Sequence, residues 1–124
     1  MASFATCFIY LFLSHLIGDW LIQTEFQALN KAKGRFFNRA LTTHCLGYTL
    51  CFVPAFALAH IAWPWLALIF WSHLFLDRRW PVIWWIRVMK RTSEETIKNL
   101  FWLVIAVDQV FHILILGFIA FCTL

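Results

Sequence analysis

Three pairs of ionisable residues lie inside strongly apolar segments of the chain. They are His15 with Asp19, His73 with Asp77, and Asp108 with His112, and the members of each pair are four residues apart. Residues at i and i+4 share one face of a helix. Imidazole and carboxylate groups on facing helices are typical ligands of first-row metals. The spacing therefore indicates a metal site, while hydrogen bonding between helices is the alternative for any single residue.

Other polar residues extend this pattern. His44 lies in a separate apolar segment, and Gln23 continues the first pair by one more turn. Four imidazoles and three carboxylates exceed the four ligands of a tetrahedral zinc ion. We therefore expect one or two divalent ions, with zinc favoured and manganese or iron as alternatives. The predicted metal ligands are His15, Asp19, His44, His73, Asp77, Asp108 and His112.

The chemistry expected of such a site is hydrolysis. A bound metal ion supplies a water nucleophile at neutral pH, with a carboxylate as general base. The predicted catalytic groups are Asp19 or Asp77 as the base and Gln23, which would orient water or substrate. An anionic substrate would be bound by Gln109, Arg39, Arg78 and Arg79. The predicted function is metal-dependent hydrolysis of a lipid or another membrane-delivered ester or phosphoester.

The composition predicts an integral membrane protein. Of the 124 residues, 63% are hydrophobic and 13% are charged, and the mean hydropathy is +0.78. A soluble domain of this length cannot bury so much apolar surface. We expect a single all-α domain, residues 1–124, forming a transmembrane four-helix bundle. The predicted spans are approximately 3–23, 40–59, 61–76 and 96–124, and the last begins early because Thr92 and Glu95 form a capping box.

The distribution of charge predicts the topology. All ten lysines and arginines lie within residues 31–39 or 78–98. The positive-inside rule makes the loops 24–39 and 77–95 cytoplasmic and places both termini outside, in a bacterial inner membrane. The first apolar segment lacks a basic flank and a cleavage site, so we interpret it as a retained helix. Residues 81–91 are expected to form an interfacial helix that contacts anionic lipid headgroups.

This topology explains the order of residues within the pairs. The first and third spans run inward with His before Asp, and the fourth runs outward with Asp before His. Each pair therefore places its carboxylate toward the cytoplasm and its imidazole deeper. We expect one polar chamber in the cytoplasmic half of the bundle.

The segments that carry these residues resemble a known family. HLIGDWLIQ, the isolated His44, HLFLD and DQVFH are similar to the motifs of a bacterial and phage membrane-protein family called domain of unknown function 3307. The resemblance implies a small helical membrane protein and brings no established activity. A looser similarity, limited to the type of site, is to predicted membrane-bound metal-dependent hydrolases.

Two other functions remain open from the sequence. The Asp and His residues could form a relay in a proton or metal-ion carrier, although the outer half of the spans offers no ionisable residue for one. The site could also be a structural metal centre in a non-catalytic membrane adaptor. No nucleic-acid partner is expected, and the sequence leaves open both oligomer formation and a disulfide between Cys7 and Cys122.

Overall fold

The regular secondary structure of this chain is helical throughout. The computed structural model describes residues 2–124, and no β-strand occurs among them. The helices are α1 (Phe4–Leu16), α2 (Glu25–Asn30), α3 (Arg39–Leu50), α4 (Val53–Ala59), α5 (Trp65–Asp77), α6 (Trp80–Met89), α7 (Glu94–Asn99) and α8 (Phe101–Cys122). The prediction of an all-α protein is confirmed.

Three helical segments are long and apolar enough to cross a membrane. They are Phe4–Leu21, Arg39–Ala59 and Phe101–Cys122. A bilayer core about 30 Å thick needs about 20 apolar residues of helix. Large apolar side chains such as Leu13, Leu50 and Phe121 are exposed on these segments. Length and surface together suggest that the protein associates with a membrane.

The third predicted span is shorter in the structure than in the sequence interpretation. Helix α5 begins only at Trp65, because residues 61–62 are irregular and residues 63–64 form a turn that ends at Pro64. It contains 13 residues, which is fewer than in each of the three longer segments. The second predicted span divides into α3 and α4 at a turn over residues 51–52, just before Pro54.

The predicted capping box at Thr92 and Glu95 is wrong. Ser93 is the N-cap of α7, and its hydroxyl accepts a hydrogen bond from the Thr96 amide at 3.2 Å. Thr92 still belongs to the end of the preceding turn, where its amide donates to the Ile86 carbonyl at 3.4 Å. The early helix is also separate from the last span, because Leu100 leaves the helical conformation and α8 begins at Phe101.

The longer helices pack side by side and form an apolar core near one end. Helix α1 packs on α8 and α4, and α5 packs on α3 and α8. The buried residues of this apolar core are Cys7, Leu11, Tyr48, Phe52, Phe56, Ala59, Ile61, Ile69, Leu116, Ile119 and Ala120. All four cysteines are free thiols. The predicted His and Asp pairs lie toward the other end of the same helices.

An irregular turn links α1 to the polar end of the fold. Residues Ile17–Leu21 form a π-helical turn, in which the Ile22 amide donates to the Ile17 carbonyl at 3.1 Å. Gly18 lies in this turn against Tyr48, and a Cβ at residue 18 would stand 2.8 Å from Tyr48 Cδ2. Turns of this kind are frequent at functional sites, and this one contains Asp19.

Candidate metal centre

The structure brings six of the seven predicted metal ligands into two overlapping groups. The first group is Asp19, His44, His73 and Asp77, all buried, and the second is Asp19, Asp108 and His112. Within each group, the possible ligand atoms lie within 4.8 Å of one another. The two groups share Asp19. We call these residues, together with His15, Lys31 and Gln109, the polar cluster.

The first group has the dimensions of a small cation site. His44 Nε2 lies 3.2 Å from Asp19 Oδ1 and 3.0 Å from Asp77 Oδ2. His73 Nε2 lies 2.9 Å from His44 Nε2 and 3.2 Å from Asp77 Oδ2. Ligand atoms 2.0–2.1 Å from a tetrahedral zinc ion stand about 3.3 Å from one another. These two imidazoles and two carboxylates can therefore surround one divalent ion with little movement.

Hydrogen bonds that run from the Asp108 carbonyl through His112 to His73 determine which nitrogen of His73 carries the lone pair. His112 Nδ1 donates to the Asp108 carbonyl oxygen at 2.8 Å, since a carbonyl only accepts. In a neutral His112, Nε2 is then an acceptor, and it lies 2.7 Å from His73 Nδ1, which must donate. A neutral His73 consequently directs its Nε2 lone pair at the Asp77 carboxylate. Two lone pairs 3.2 Å apart repel each other, and a cation between them would relieve that repulsion.

Packing fixes the ring of His73. The Tyr48 ring stacks on it with 3.5 Å between ring centroids and an interplanar angle of 6°. Because Gly18 has no side chain, it leaves room for the Tyr48 ring in this position. The sequence analysis did not identify Tyr48, because an aromatic residue in an apolar segment has the pattern of an ordinary core residue.

His15 was predicted to be a metal ligand, and the structure places it outside both ligand groups. Its Nδ1 accepts from the Tyr48 hydroxyl at 2.9 Å, and its Nε2 donates to Gln109 Oε1 at 2.8 Å. The Gln109 amide nitrogen in turn donates to Asp19 Oδ2 at 2.9 Å. The π-helical turn after His15 changes the i, i+4 register, so that Asp19 reaches the ligand group and His15 does not.

Lys31 is a member of the cluster that the sequence analysis missed. Its side chain is 9% exposed, and its ammonium lies 2.8 Å from Asp77 Oδ2 and 3.8 Å from Asp19 Oδ1. With neutral imidazoles, the three carboxylates and this ammonium leave a formal charge of −2. One divalent cation would neutralise it. In the sequence, Lys31 is only one of several basic residues in a predicted loop, and these residues served to predict the membrane topology.

Beside the ligand groups lies a cavity of about 200 Å³. The charged and amide side chains that line it are Asp19, Gln23, Lys31, Asp77, Arg79, Asp108 and Gln109. Asp108 Oδ1 and Gln23 Oε1 are buried and have no hydrogen-bond partner within residues 2–124. Two residues that line the cavity therefore carry unpaired acceptor atoms close to the candidate metal centre.

The three predicted anion-binding arginines occupy different environments. Arg79 lines the cavity, with its guanidinium 5.0 Å from the centre of the Phe101 ring. Arg78 instead donates to backbone carbonyls of the loop after α2, including those of Gly34 at 2.9 Å and Arg35 at 3.0 Å. Arg39 is exposed and does not line the cavity. Only the first of these is positioned to meet a ligand in the cavity.

Comparison with known proteins identifies the family. The family model described as "Protein of unknown function (DUF3307)" matches residues 7–124. The chain belongs to the DUF3307 family. No curated protein and no solved structure gives a match. The looser similarity to membrane-bound metal-dependent hydrolases thus gains no support from these comparisons.

The geometry gives the DUF3307 motif segments a physical relationship. HLIGDWLIQ contributes His15 and Asp19, and both side chains hydrogen-bond to Gln109 of DQVFH. HLFLD contributes His73 and Asp77, which meet the isolated His44. Segments far apart in this DUF3307 chain therefore form one continuous network of side-chain contacts.

Proposed function

We propose that this DUF3307 protein is a single-domain integral membrane protein that binds a divalent metal ion at its cytoplasmic side. The three long apolar helices and their exposed apolar side chains support insertion, with α5 as a fourth, shorter span. The placement of all lysines and arginines in two loops supports external termini, cytoplasmic loops and a location in the bacterial inner membrane.

The observation that carries the metal proposal is the arrangement around His73. Hydrogen bonds on the far side of its ring direct the Nε2 lone pair toward Asp77 Oδ2 at 3.2 Å and His44 Nε2 at 2.9 Å. Nitrogen and oxygen ligands at this spacing favour zinc, with manganese or iron as alternatives. One ion fits the first group. The second group is less suited to an ion, because both nitrogens of His112 are engaged in hydrogen bonds to the Asp108 carbonyl and to His73.

We further propose that the protein hydrolyses a phosphoester. A divalent ion at the first group would act as a Lewis acid and supply a water nucleophile. Asp108 is the best-placed general base, because it lines the cavity and its Oδ1 has no hydrogen-bond partner within residues 2–124, whereas Asp77 is engaged by Lys31 and two imidazoles. Gln23 would orient the substrate through its free amide oxygen, and Arg79 would hold the negative charge of the phosphate.

A second pocket supports a lipid as the substrate. An apolar groove of about 550 Å³ lies between α5, α6 and α8, and its walls include Trp80, Trp84 and Trp85. Arg79 lines the polar cavity, and its neighbour Trp80 lines the groove. An amphiphile could place a phosphate headgroup in the cavity and its hydrocarbon chain in the groove.

The distribution of buried charge favours hydrolysis over transport. A relay that carries protons or metal ions across the membrane needs polar groups along its whole path. Within residues 2–124, every buried Asp, His and Lys belongs to the polar cluster, and the apolar core contains none. This distribution therefore favours a chamber that opens to one side of the membrane over a path that crosses it.

Metal analysis of protein purified in mild detergent tests the proposal. We expect about one metal ion per chain in the unmodified protein and in His60→Asn, a control at an exposed turn. His73→Gln should lose the ion, whereas Asp108→Asn should retain it and lose turnover of a lipid phosphate. A folded protein that binds no metal would contradict the metal proposal. A metal-loaded protein that hydrolyses no lipid phosphoester would contradict the enzymatic one and favour a structural metal site.

A further inference from the structure

Lys31 carries a further inference, which rests on the proposed metal site. We propose that Lys31 is an internal cation that exchanges with the divalent ion. When the ion takes the oxygens of Asp19 and Asp77, the Lys31 ammonium moves into the adjoining cavity. There it forms, with Arg79, a binding site for the phosphate group of the substrate.

The Lys31 ammonium and the divalent ion compete because both would bind the same carboxylate oxygen. The ammonium contacts Asp77 Oδ2 at 2.8 Å, and the same oxygen lies 3.0 Å from His44 Nε2 and 3.2 Å from His73 Nε2. An ion held by these two imidazoles would bind this oxygen as well. Two cations this close repel each other strongly in a buried site. The ammonium and the divalent ion therefore exclude each other from the Asp77 carboxylate.

The surroundings of Lys31 allow its side chain to move while its backbone stays in place. Its amide donates to the Gln27 carbonyl at 2.9 Å, and its carbonyl accepts from Asn38 Nδ2 at 3.2 Å. Arg78 binds the carbonyls of the residues that follow, at 2.9–3.2 Å. The side chain has a flexible four-carbon stem and already lines the cavity. Rotation about its own bonds is enough to carry the ammonium away from Asp77.

The cavity suits a phosphate once the ammonium has moved. Arg79 lines it, and no Asp or Glu forms an ion pair with that guanidinium within residues 2–124. A planar guanidinium binds two phosphate oxygens, and an ammonium adds a point charge from another side. The divalent ion would offset the nearby carboxylates, which otherwise repel an anion. Metal binding and phosphate binding should therefore be coupled.

Calorimetric titration with Mn²⁺ or Zn²⁺ tests the exchange. Lys31→Met should bind the ion at least about tenfold more tightly than the unmodified protein, since the ion no longer displaces an ammonium. Lys33→Met, at an exposed position of the same loop, should match the unmodified protein. Equal or weaker binding by folded Lys31→Met would overturn the exchange. Failure of the unmodified protein to bind either ion would overturn the proposed function and this inference together.

Amine labelling of the unmodified protein gives a second test that needs no variant. With mass-spectrometric readout, Lys31 should be protected relative to Lys33 without added metal, and its labelling should rise several-fold with Mn²⁺. Protection that persists in the metal-loaded protein would overturn the exchange and leave the metal site standing.

Anion binding tests the second half of the inference. Metal-loaded protein should bind inorganic phosphate, and metal-loaded Lys31→Met should bind it about tenfold more weakly. Tighter binding of a short-chain lipid phosphate than of inorganic phosphate would identify a lipid headgroup as the ligand, and equal binding would identify the free anion. Unchanged phosphate affinity in Lys31→Met would overturn the assignment of Lys31 to the anion site.

Discussion

The apolar core and the polar cluster are built from the same helices in opposite ways. Toward one end, α1, α4 and α8 contribute residues such as Leu11, Phe56 and Ile119, which bury apolar surface without any charged group. Toward the other end, the polar cluster buries carboxylates, imidazoles and an ammonium, and Lys31, His44 and His73 all lie within 3.2 Å of Asp77 Oδ2. Tyr48 connects the two regions, because its ring packs in the core and its hydroxyl donates to His15 of the polar cluster.

The apolar core and the polar cluster differ in how the free energy of unfolding depends on each residue. Apolar burial is non-directional and roughly proportional to area, so the cost of truncating a core residue depends mainly on the apolar area and volume that are lost. In the polar cluster, each group compensates a neighbour, and the loss of one partner leaves another charge buried and unpaired. A change in the core should therefore affect stability alone, whereas a change in the cluster should affect stability and metal binding together.

Replacement of Asp77 should give the largest effect. Asp77→Ala removes the carboxylate that contacts Lys31, His44 and His73, and it leaves the ammonium buried without its nearest partner. We expect a loss of about 3–5 kcal/mol in the free energy of unfolding. Metal binding should be abolished. Thermal unfolding in detergent and metal analysis measure the two effects, and Glu25→Ala, at an exposed position, is the control. A stable variant that keeps its metal would remove the distinction between the two regions.

An added methyl group at Gly18 should displace Tyr48, which contacts both the apolar core and the polar cluster. The new Cβ in Gly18→Ala would stand 2.8 Å from the Tyr48 ring and 3.1 Å from its backbone, so Tyr48 must move from its present position, in which it stacks on His73. We expect destabilisation of about 1–3 kcal/mol and weaker metal binding. Gly117→Ala is the matched control, because its Cβ would meet Phe8 at 3.9 Å. Equal behaviour of the two variants would show that the position of Tyr48 does not matter to the site.

Loss of the Tyr48 hydroxyl should have a similar effect on stability and a smaller effect on metal binding. Tyr48→Phe keeps the stacked ring but leaves His15 Nδ1 without its donor at 2.9 Å. An unsatisfied buried acceptor costs about 1–3 kcal/mol. Because Gln109 still links His15 to Asp19, we expect metal content to stay near one ion per chain. Denaturation and metal analysis on the same sample decide this, and complete loss of metal would place Tyr48 among the residues essential to the site.

A methyl deletion in the apolar core should give the smallest effect. Ile119→Val removes one methylene from a fully buried position and should cost about 0.5–1.5 kcal/mol. Metal affinity should be unchanged, since Ile119 belongs to the apolar core. A drop in metal affinity measured by titration would show that the two regions are coupled through packing.

The sequence predicted those features that depend on local pattern. Helical class follows from apolar runs, and the convergence of His73, Asp77 and His44 follows from i, i+4 spacing on helices that pack together. The role of His15 could not be predicted, because the π-helical turn that separates it from Asp19 has no pattern in the sequence. Lys31 reaches the cluster only through the path of the loop after α2, and a loop path depends on tertiary contacts.

The start of the last span was wrongly predicted for a different reason. Thr92 and Ser93 are adjacent, and each is an acceptable cap with a polar residue three positions later. The tertiary position of the turn after α6 decides between them, and Ser93 is the cap. Local pattern located this helix to within one residue and could not show that it ends at Leu100.

X-ray absorption at the metal edge of the purified protein is the sharpest test of the metal centre. We expect a spectrum with two imidazoles and oxygen ligands about 2.0–2.2 Å from the metal and no sulfur. His44→Gln should remove one imidazole from it. A spectrum with sulfur ligands, or one unchanged by His44→Gln, would contradict the assignment of the metal to these residues.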